Sequence, residues 1–220
     1  MRKLIIAIDG PSGVGKGTVA RALASELGYR HVDSGAMYRA VGWQALQRGV
    51  ALDREDALAR IAADSAIEIT ASVVLMDGTD VTRAIRTPEI DKAAAAVARL
   101  PRVREILVGR QRALGEAGGI VMEGRDIGTV VFPDADVKLY LDASPEERAR
   151  RRAHDPAHSG GPAALAEVAT LLSERDRIDS TRAASPLYAA ADATVIDTTD
   201  APIAEVVARV MSIVRQKLGP

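Results

Sequence analysis

The sequence has no cysteine, which excludes disulfides, thiolate metal sites and cysteine nucleophiles at once. It has almost no net charge, −1 at pH 7. No global attraction to nucleic acid or to a membrane surface follows, and neither is expected as a partner; any anion must be held by a local arrangement. No apolar run approaches a membrane span, and the first residues enter a strand pattern at once instead of a signal sequence. The expected address is the cytoplasm. Lysine is scarce, five residues against 24 arginines; genome composition produces such a bias, and so does a need for bidentate phosphate contacts. His31, His154 and His158 lie without metal-ligand spacing or a paired acid, so all three read as structural or solvated. There is no internal repeat, no low-complexity segment beyond alanine richness, and no charged tail.

What is present is organised around Gly10-Pro11-Ser12-Gly13-Val14-Gly15-Lys16-Gly17-Thr18, between an apolar run at 4–8 and a helical pattern at 19–27. Glycines let successive backbone N–H groups turn inward, the following helix adds its positive end, and Lys16 supplies a mobile charge for outer phosphates. The usual phosphate-loop pattern places Ser or Thr directly after the Lys; here Gly17 intervenes, and no protein ligand to a metal is assigned. At 220 residues the chain holds one α/β domain with an insertion. Strands are expected at 29–32, 120–122, 137–141 and 193–196, in addition to 4–8. Helices are expected at 36–47, 53–64, 90–100, 103–114, 163–178 and 203–218, with a further arginine-rich helix after Ser144-Pro145. Strands at 66–70, 73–76 and 79–82, around Asp77-Gly78, form a β insertion. The expected fold is therefore α/β, a five-stranded parallel sheet flanked by helices. Its core spans 1–52 and 100–220, with a small insertion at 53–99 and a helical lid at about 148–163.

Several charged residues stand where ligands of such a sheet would lie. Asp33 and Ser34 can cap the helix that carries Arg39, placed by this reading in the first turn, where its charge opposes the macrodipole. Glu123-Gly124-Arg125-Asp126 follows a buried strand at its carboxyl end. Arg148, Arg151 and Arg152 share one side of their helix, with Glu146–Arg150 and Glu147–Arg151 spaced to pair. The polar stretch 154–162, with Gly160-Gly161 and two prolines, has the composition of a flap. A nucleotide γ-phosphoryl over the sheet edge, a lid and scattered arginines fit transfer to a second, phosphorylated substrate. On these residues alone, a kinase for another nucleoside monophosphate, UMP or AMP, and a nucleotide-gated switch both remain open.

The loop from Asp9 to Thr18, Asp33-Ser34-Gly35-Ala36-Met37-Tyr38-Arg39, Ile85-Arg86-Thr87, Pro101-Arg102-Val103-Arg104-Glu105, the stretch from Gly124 to Pro133 and Glu174-Arg175-Asp176 occur in order along nearly the whole chain. Together they resemble the bacterial cytidylate kinase family, within the phosphate-loop nucleoside monophosphate kinases. The resemblance implies transfer of the ATP γ-phosphate to CMP or dCMP with Mg2+, by a monomer. It implies Lys16 and the loop on the donor, Arg148 and Arg151 in the lid, and Ser34, Arg39 and Arg125 on the acceptor phosphate. It further implies Arg104 and Asp126 on the base, Arg175 and Asp179 on the sugar, and Arg182 near the acceptor or closed lid. It places 53–99 in the acceptor domain. Where the family has a serine on the base amino group, this chain has Ala95.

Overall fold

The computed structural model describes residues 3–70, 72–155 and 165–218. The apolar runs form a five-stranded, wholly parallel sheet of β1 (Ile5–Asp9), β2 (Arg30–Asp33), β6 (Ile120–Glu123), β7 (Val137–Asp142) and β8 (Thr194–Asp197), in the order β2-β6-β1-β7-β8. β1 is central, with Ile6 opposite Val121 on one side and Val137 on the other. β6 is buried along its whole length, as expected of a parallel strand covered on both faces. One face packs Ile6, Ile8, Leu139 and Ile196 under α1 (Lys16–Leu27) and α8 (Ile203–Leu218). The other places Ala7, Ile120 and Met122 against Val108 of α5 (Pro101–Gly115) and Phe132.

Between β2 and α5 the chain forms α2 (Ser34–Gln47), α3 (Glu55–Asp64), a three-stranded antiparallel sheet of β3 (Ile67–Ile69), β4 (Val74–Met76) and β5 (Thr79–Asp80), and α4 (Pro88–Val97). These share a second core, in which Met37 and Val41 of α2 meet Leu58, Met76, Ile85 and Leu107. α5 thus serves both cores, with Val103 and Leu107 in the second and Val108 in the first. The starts of α4 and α2 are specified locally. Thr87 Oγ1 accepts from Ile90 N–H at 3.2 Å with Pro88 in the first turn, and Asp33 Oδ1 accepts from Ala36 N–H at 3.2 Å. α6 (Pro145–Ala153), started the same way by Ser144, and α7 (Leu165–Thr181) lie over the carboxyl edge of the main sheet.

All five parallel strands end in an acid: Asp9, Asp33, Glu123, Asp142 and Asp197. Four of these carboxylates accept a nearby backbone N–H at the strand-to-loop junction, and the fifth, Glu123, meets a histidine.

The structure differs from the sequence reading at several points. α1 begins at Lys16 instead of 19, so the loop lysine is itself the first helical residue. α2 begins at Ser34, which moves Arg39 into the second turn, where the macrodipole opposes it less. His31 does have a paired acid, Glu123, 92 positions away. Glu147, not Glu146, pairs with Arg150 and also takes Arg151. Residues 127–131, assigned no element, form a π-helical turn in which Phe132 N–H donates to Ile127 C=O at 2.7 Å. His158 and most of the 154–162 flap lie outside the described residues, as do the last part of the expected lid and the start of the 163–178 helix.

Candidate active site

At the carboxyl edge of the sheet a cavity of about 450 Å3 opens between the loop, α2, α4, α6 and α7. Nine arginines and Lys16 line it against five acids. So uneven a wall implies a ligand with several negative charges.

The donor end is built by the loop. Ser12, Gly13, Gly15, Lys16, Gly17 and Thr18 face the cavity, whereas Gly10, Pro11 and Val14 do not; Val14 is packed in the core. Neighbours brace the loop from outside, with Thr198 Oγ1 donating to Val14 C=O at 3.1 Å and Arg148 Nη1 to Ser12 C=O at 3.3 Å. Lys16 Nζ donates to Pro11 C=O at 2.6 Å across the loop. Burial, then the neighbouring Arg125, push its ammonium down to about 7. The Glu123 carboxylate stands beside it, and Gly17 is small for that reason: a Cβ there would lie 3.0 Å from Glu123 Oε1.

The middle of the cavity gathers Ser34, Arg39 and Arg125. Ser34 Oγ donates to Glu123 C=O at 2.7 Å, which fixes its hydroxyl between β2 and β6. Arg39 Nε donates to Asp91 Oδ1 at 3.0 Å, and its Nη1 lies 3.6 Å from Asp33 Oδ2. Asp33 also accepts from Arg86 at 3.0 Å. Burial alone would raise its carboxyl, but Arg39 and Arg86 outweigh that and hold it at about 2. Arg125 Nε donates to Asp179 Oδ2 at 2.9 Å.

The far end is more enclosed. Arg104 and Asp126, both almost fully buried, form a direct ion pair, and the Arg104 guanidinium lies 5.5 Å from the centre of the Tyr38 ring. Burial pushes the Tyr38 hydroxyl up to about 12, so it stays a neutral donor and acceptor. Arg182 approaches both Asp126 and Asp179, yet its buried Nη2 has no hydrogen-bond partner among the described residues. Asp179, 1% exposed, is ringed by Arg125, Arg175 and Arg182; burial works to raise its carboxyl and these three hold it below its ordinary value.

All eight residues expected on the acceptor thus line one cavity. Ala95 is buried, but Ala94 and Ala98 form that part of the wall. The lid arginines separate. Arg151 lines the cavity and donates to Glu147 and Thr198, whereas Arg148 is off the wall, bonded to Ala143 C=O, Ser12 C=O and Asp176. Arg152 crosses to Asp91. The sequence reading did not single out Arg21, Tyr38, Arg86 and Asp155 as wall residues. Glu123 and Arg152 it placed near the ligand, in the tetrapeptide closing a buried strand and on the arginine-rich helix, without assigning either a role.

Among the described residues, no group of three or more His, Asp or Glu could hold a metal ion, and no helix is long and apolar enough to cross a membrane. In overall fold the chain is similar to shikimate kinase from Bacteroides thetaiotaomicron, with a TM-score of 0.52 at 11% identity over 96% of this chain and 98% of that one. In sequence it is 50% identical to a cytidylate kinase of Pelotomaculum thermopropionicum, over 94% of either chain. It is 48% identical to a cytidylate kinase of Geobacillus thermodenitrificans, over 99% of each. The family model for cytidylate kinase matches residues 6–216, a span that takes in the loop, both cores and every wall residue named above, and the chain belongs to that family.

Proposed function

We propose that this chain transfers the γ-phosphoryl group of ATP to CMP or dCMP, giving ADP and CDP or dCDP, as a step of pyrimidine nucleotide metabolism in the cytoplasm. The observation that carries this reading is the order of groups along one cavity. A phosphate loop with Lys16 stands at one end, the buried Arg104–Asp126 pair at the other, and Ser34, Arg39 and Arg125 between them. Cytosine offers an amino donor beside ring acceptors, so a carboxylate and a guanidinium together match its edge. Uracil would set an oxygen against Asp126.

In the proposed reaction the loop amides and Lys16 hold the donor phosphates. Ser34, Arg39 and Arg125 take the acceptor phosphate in place of the carboxylates that hold the two arginines here. An oxygen of that phosphate attacks the γ-phosphorus in line, and the bond to the ADP oxygen breaks. A phosphate monoester is already largely ionised near neutral pH, so no general base has to remove a proton. Arg151 faces the transfer region directly, while Arg148 supports the loop from beneath through Ser12. The sugar falls to Asp179 and Arg175, with Arg182 beside it. The acceptor lobe comprises 53–99 together with the faces of α2 and α5 that share its core. The lid is assigned to about 148–163, of which the described part begins in α6, and one chain supplies every group.

Thr18 and Glu123 are the wall residues near the loop that would face a magnesium ion carried by the donor, and the described residues offer no ligand cluster beyond them. Bound there, the ion would neutralise charge on the donor phosphates. A coupled ADP-release assay with Mg2+ and ATP tests the reading, comparing CMP, dCMP, UMP, AMP and no acceptor. Release with CMP and dCMP alone is expected; equal, slow release in every tube overturns it.

A further inference from the structure

Asp9 closes β1 and lies outside the cavity wall, yet it is 4% exposed and carries a carboxylate. Both oxygens are engaged. Oδ1 accepts from Ile127 N–H at 2.8 Å, and Oδ2 accepts from Gly128 N–H at 2.7 Å. These are the first two amides of the π-helical turn, and they directly follow Asp126. On its other side Asp9 is bonded through the chain to Gly10, where the phosphate loop begins. One buried side chain therefore links the root of the donor loop to the backbone that carries the acid facing the acceptor base.

A carboxylate is a costly way to satisfy two amides in a core, and an apolar residue would leave both unpaired. What the carboxylate provides is a two-point clamp, because its oxygens meet consecutive N–H groups and fix the direction of the chain at 126–128. Asp126 has no side-chain bond to its own turn in the structure; its carboxylate is turned to Arg104, and Arg182 is 4.0 Å away. The backbone clamp is then what keeps that carboxylate at the depth where Arg104 meets it.

We propose that Asp9 is a positioning residue for acceptor-base selection, acting through the Ile127 and Gly128 amides on Asp126. The proposal rests on the CMP and dCMP kinase reading. Asp9→Asn keeps the volume and one acceptor oxygen but turns an NH2 group toward one of the amides. The expected result is a rise of about ten-fold in KM and Kd for CMP, the size expected when one buried hydrogen bond is lost. The preference for CMP over UMP in kcat/KM narrows by a similar factor. The Kd for ADP, measured by calorimetry, and the KM for ATP rise by less than the values for CMP, because the loop keeps its own braces and loses only the attraction between Asp9 and Lys16.

A variant with unchanged CMP selectivity, or one losing CMP and ADP binding in equal measure, overturns the proposal. If Asp9→Asn does not fold, the wild-type protein decides by amide NMR. The Ile127 and Gly128 resonances should shift on adding CMP in the absence of any donor; unchanged resonances in saturated protein overturn the role. Wild-type protein that binds no CMP overturns the kinase reading instead.

Discussion

His31 Nε2 lies 3.0 Å from Glu123 Oε1, with both side chains more than nine-tenths buried. The pair stands behind the loop lysine, on neighbouring parallel strands, where His31 holds one oxygen of a carboxylate whose residue forms part of the cavity wall. Replacing His31 by Phe removes the partner and leaves a buried acid short of a hydrogen bond, which costs about 1–3 kcal/mol of folding stability. Denaturant unfolding of His31→Phe should show that loss. His31→Gln, which retains an N–H donor of similar reach, should recover most of it, and equal stability of Phe and Gln variants would show that the contact carries no weight.

That pair also marks where the sequence stops being legible. The loop and the five strands could be found from local signals, because glycine spacing and apolar runs each lie within a few positions, whereas the eight acceptor residues were joined as one set by the resemblance to the family. His31 and Glu123 are 92 positions apart, and Asp9 is 118 from Ile127. Nothing in periodicity says which strands become neighbours, so a buried histidine without a nearby acid read as unpaired. The π-helical turn at 127–131 was missed because a single turn has no period to detect. Asp91 lies in the helix expected at 90–100 and carries no local signal of its own; only the fold brings Arg39, Arg152 and the Arg175 side chain onto it from three other helices.

Base selection should reside in the Arg104–Asp126 pair. Asp126→Asn changes an acceptor-only group into one that presents a donor, which suits the carbonyl of uracil better than the amino group of cytosine. The kcat/KM ratio of CMP to UMP should fall by about ten-fold to a hundred-fold, driven by worse CMP and improved UMP turnover. Parallel steady-state measurements with the two acceptors check this, and a ratio that does not move would place base reading elsewhere in the cavity.

Donor binding should take up a proton. In the free protein, burial and Arg125 hold Lys16 down to about 7, so near pH 8 the amine is largely neutral. The donor's phosphates favour the ammonium and raise its pKa in the complex. At that pH a terminal phosphate has already lost its last proton, so the nucleotide releases none in compensation. The sign follows: affinity falls as pH rises above 7, and the calorimetric enthalpy of ADP binding varies with the ionisation enthalpy of the buffer by close to one proton per site. Lys16→Arg, charged throughout, should abolish the buffer dependence.

Two loop glycines should fail for opposite reasons when changed to alanine. At Gly10, φ is +144° and a Cβ would fall 2.0 Å from the carbonyl oxygen of Leu141 in β7. The obstructing atom is sheet backbone and Gly10 directly follows β1, so the end of β1 and β7 would have to part. Strain of this kind together with overpacking costs about 3–5 kcal/mol, a large share of a domain's total stability. Gly17 is helical, and its Cβ would meet only the side-chain ends of Glu123 and Arg21, at 3.0 and 3.2 Å. Each has to give by only a few tenths of an ångström, which leaves Glu123 Oε1 within reach of His31, and alanine is the better helix former, so Gly17→Ala should fold with stability within about 1 kcal/mol of wild type. Its cost appears in turnover, because the methyl group shifts the Glu123 carboxylate that stands beside Lys16. Thermal melts and the ADP-release assay run together on the two variants separate the cases. Gly10→Ala should lose its folding transition or melt far lower, whereas Gly17→Ala should melt normally and turn over slowly, and normal turnover by Gly17→Ala would remove Glu123 from the working set of the site.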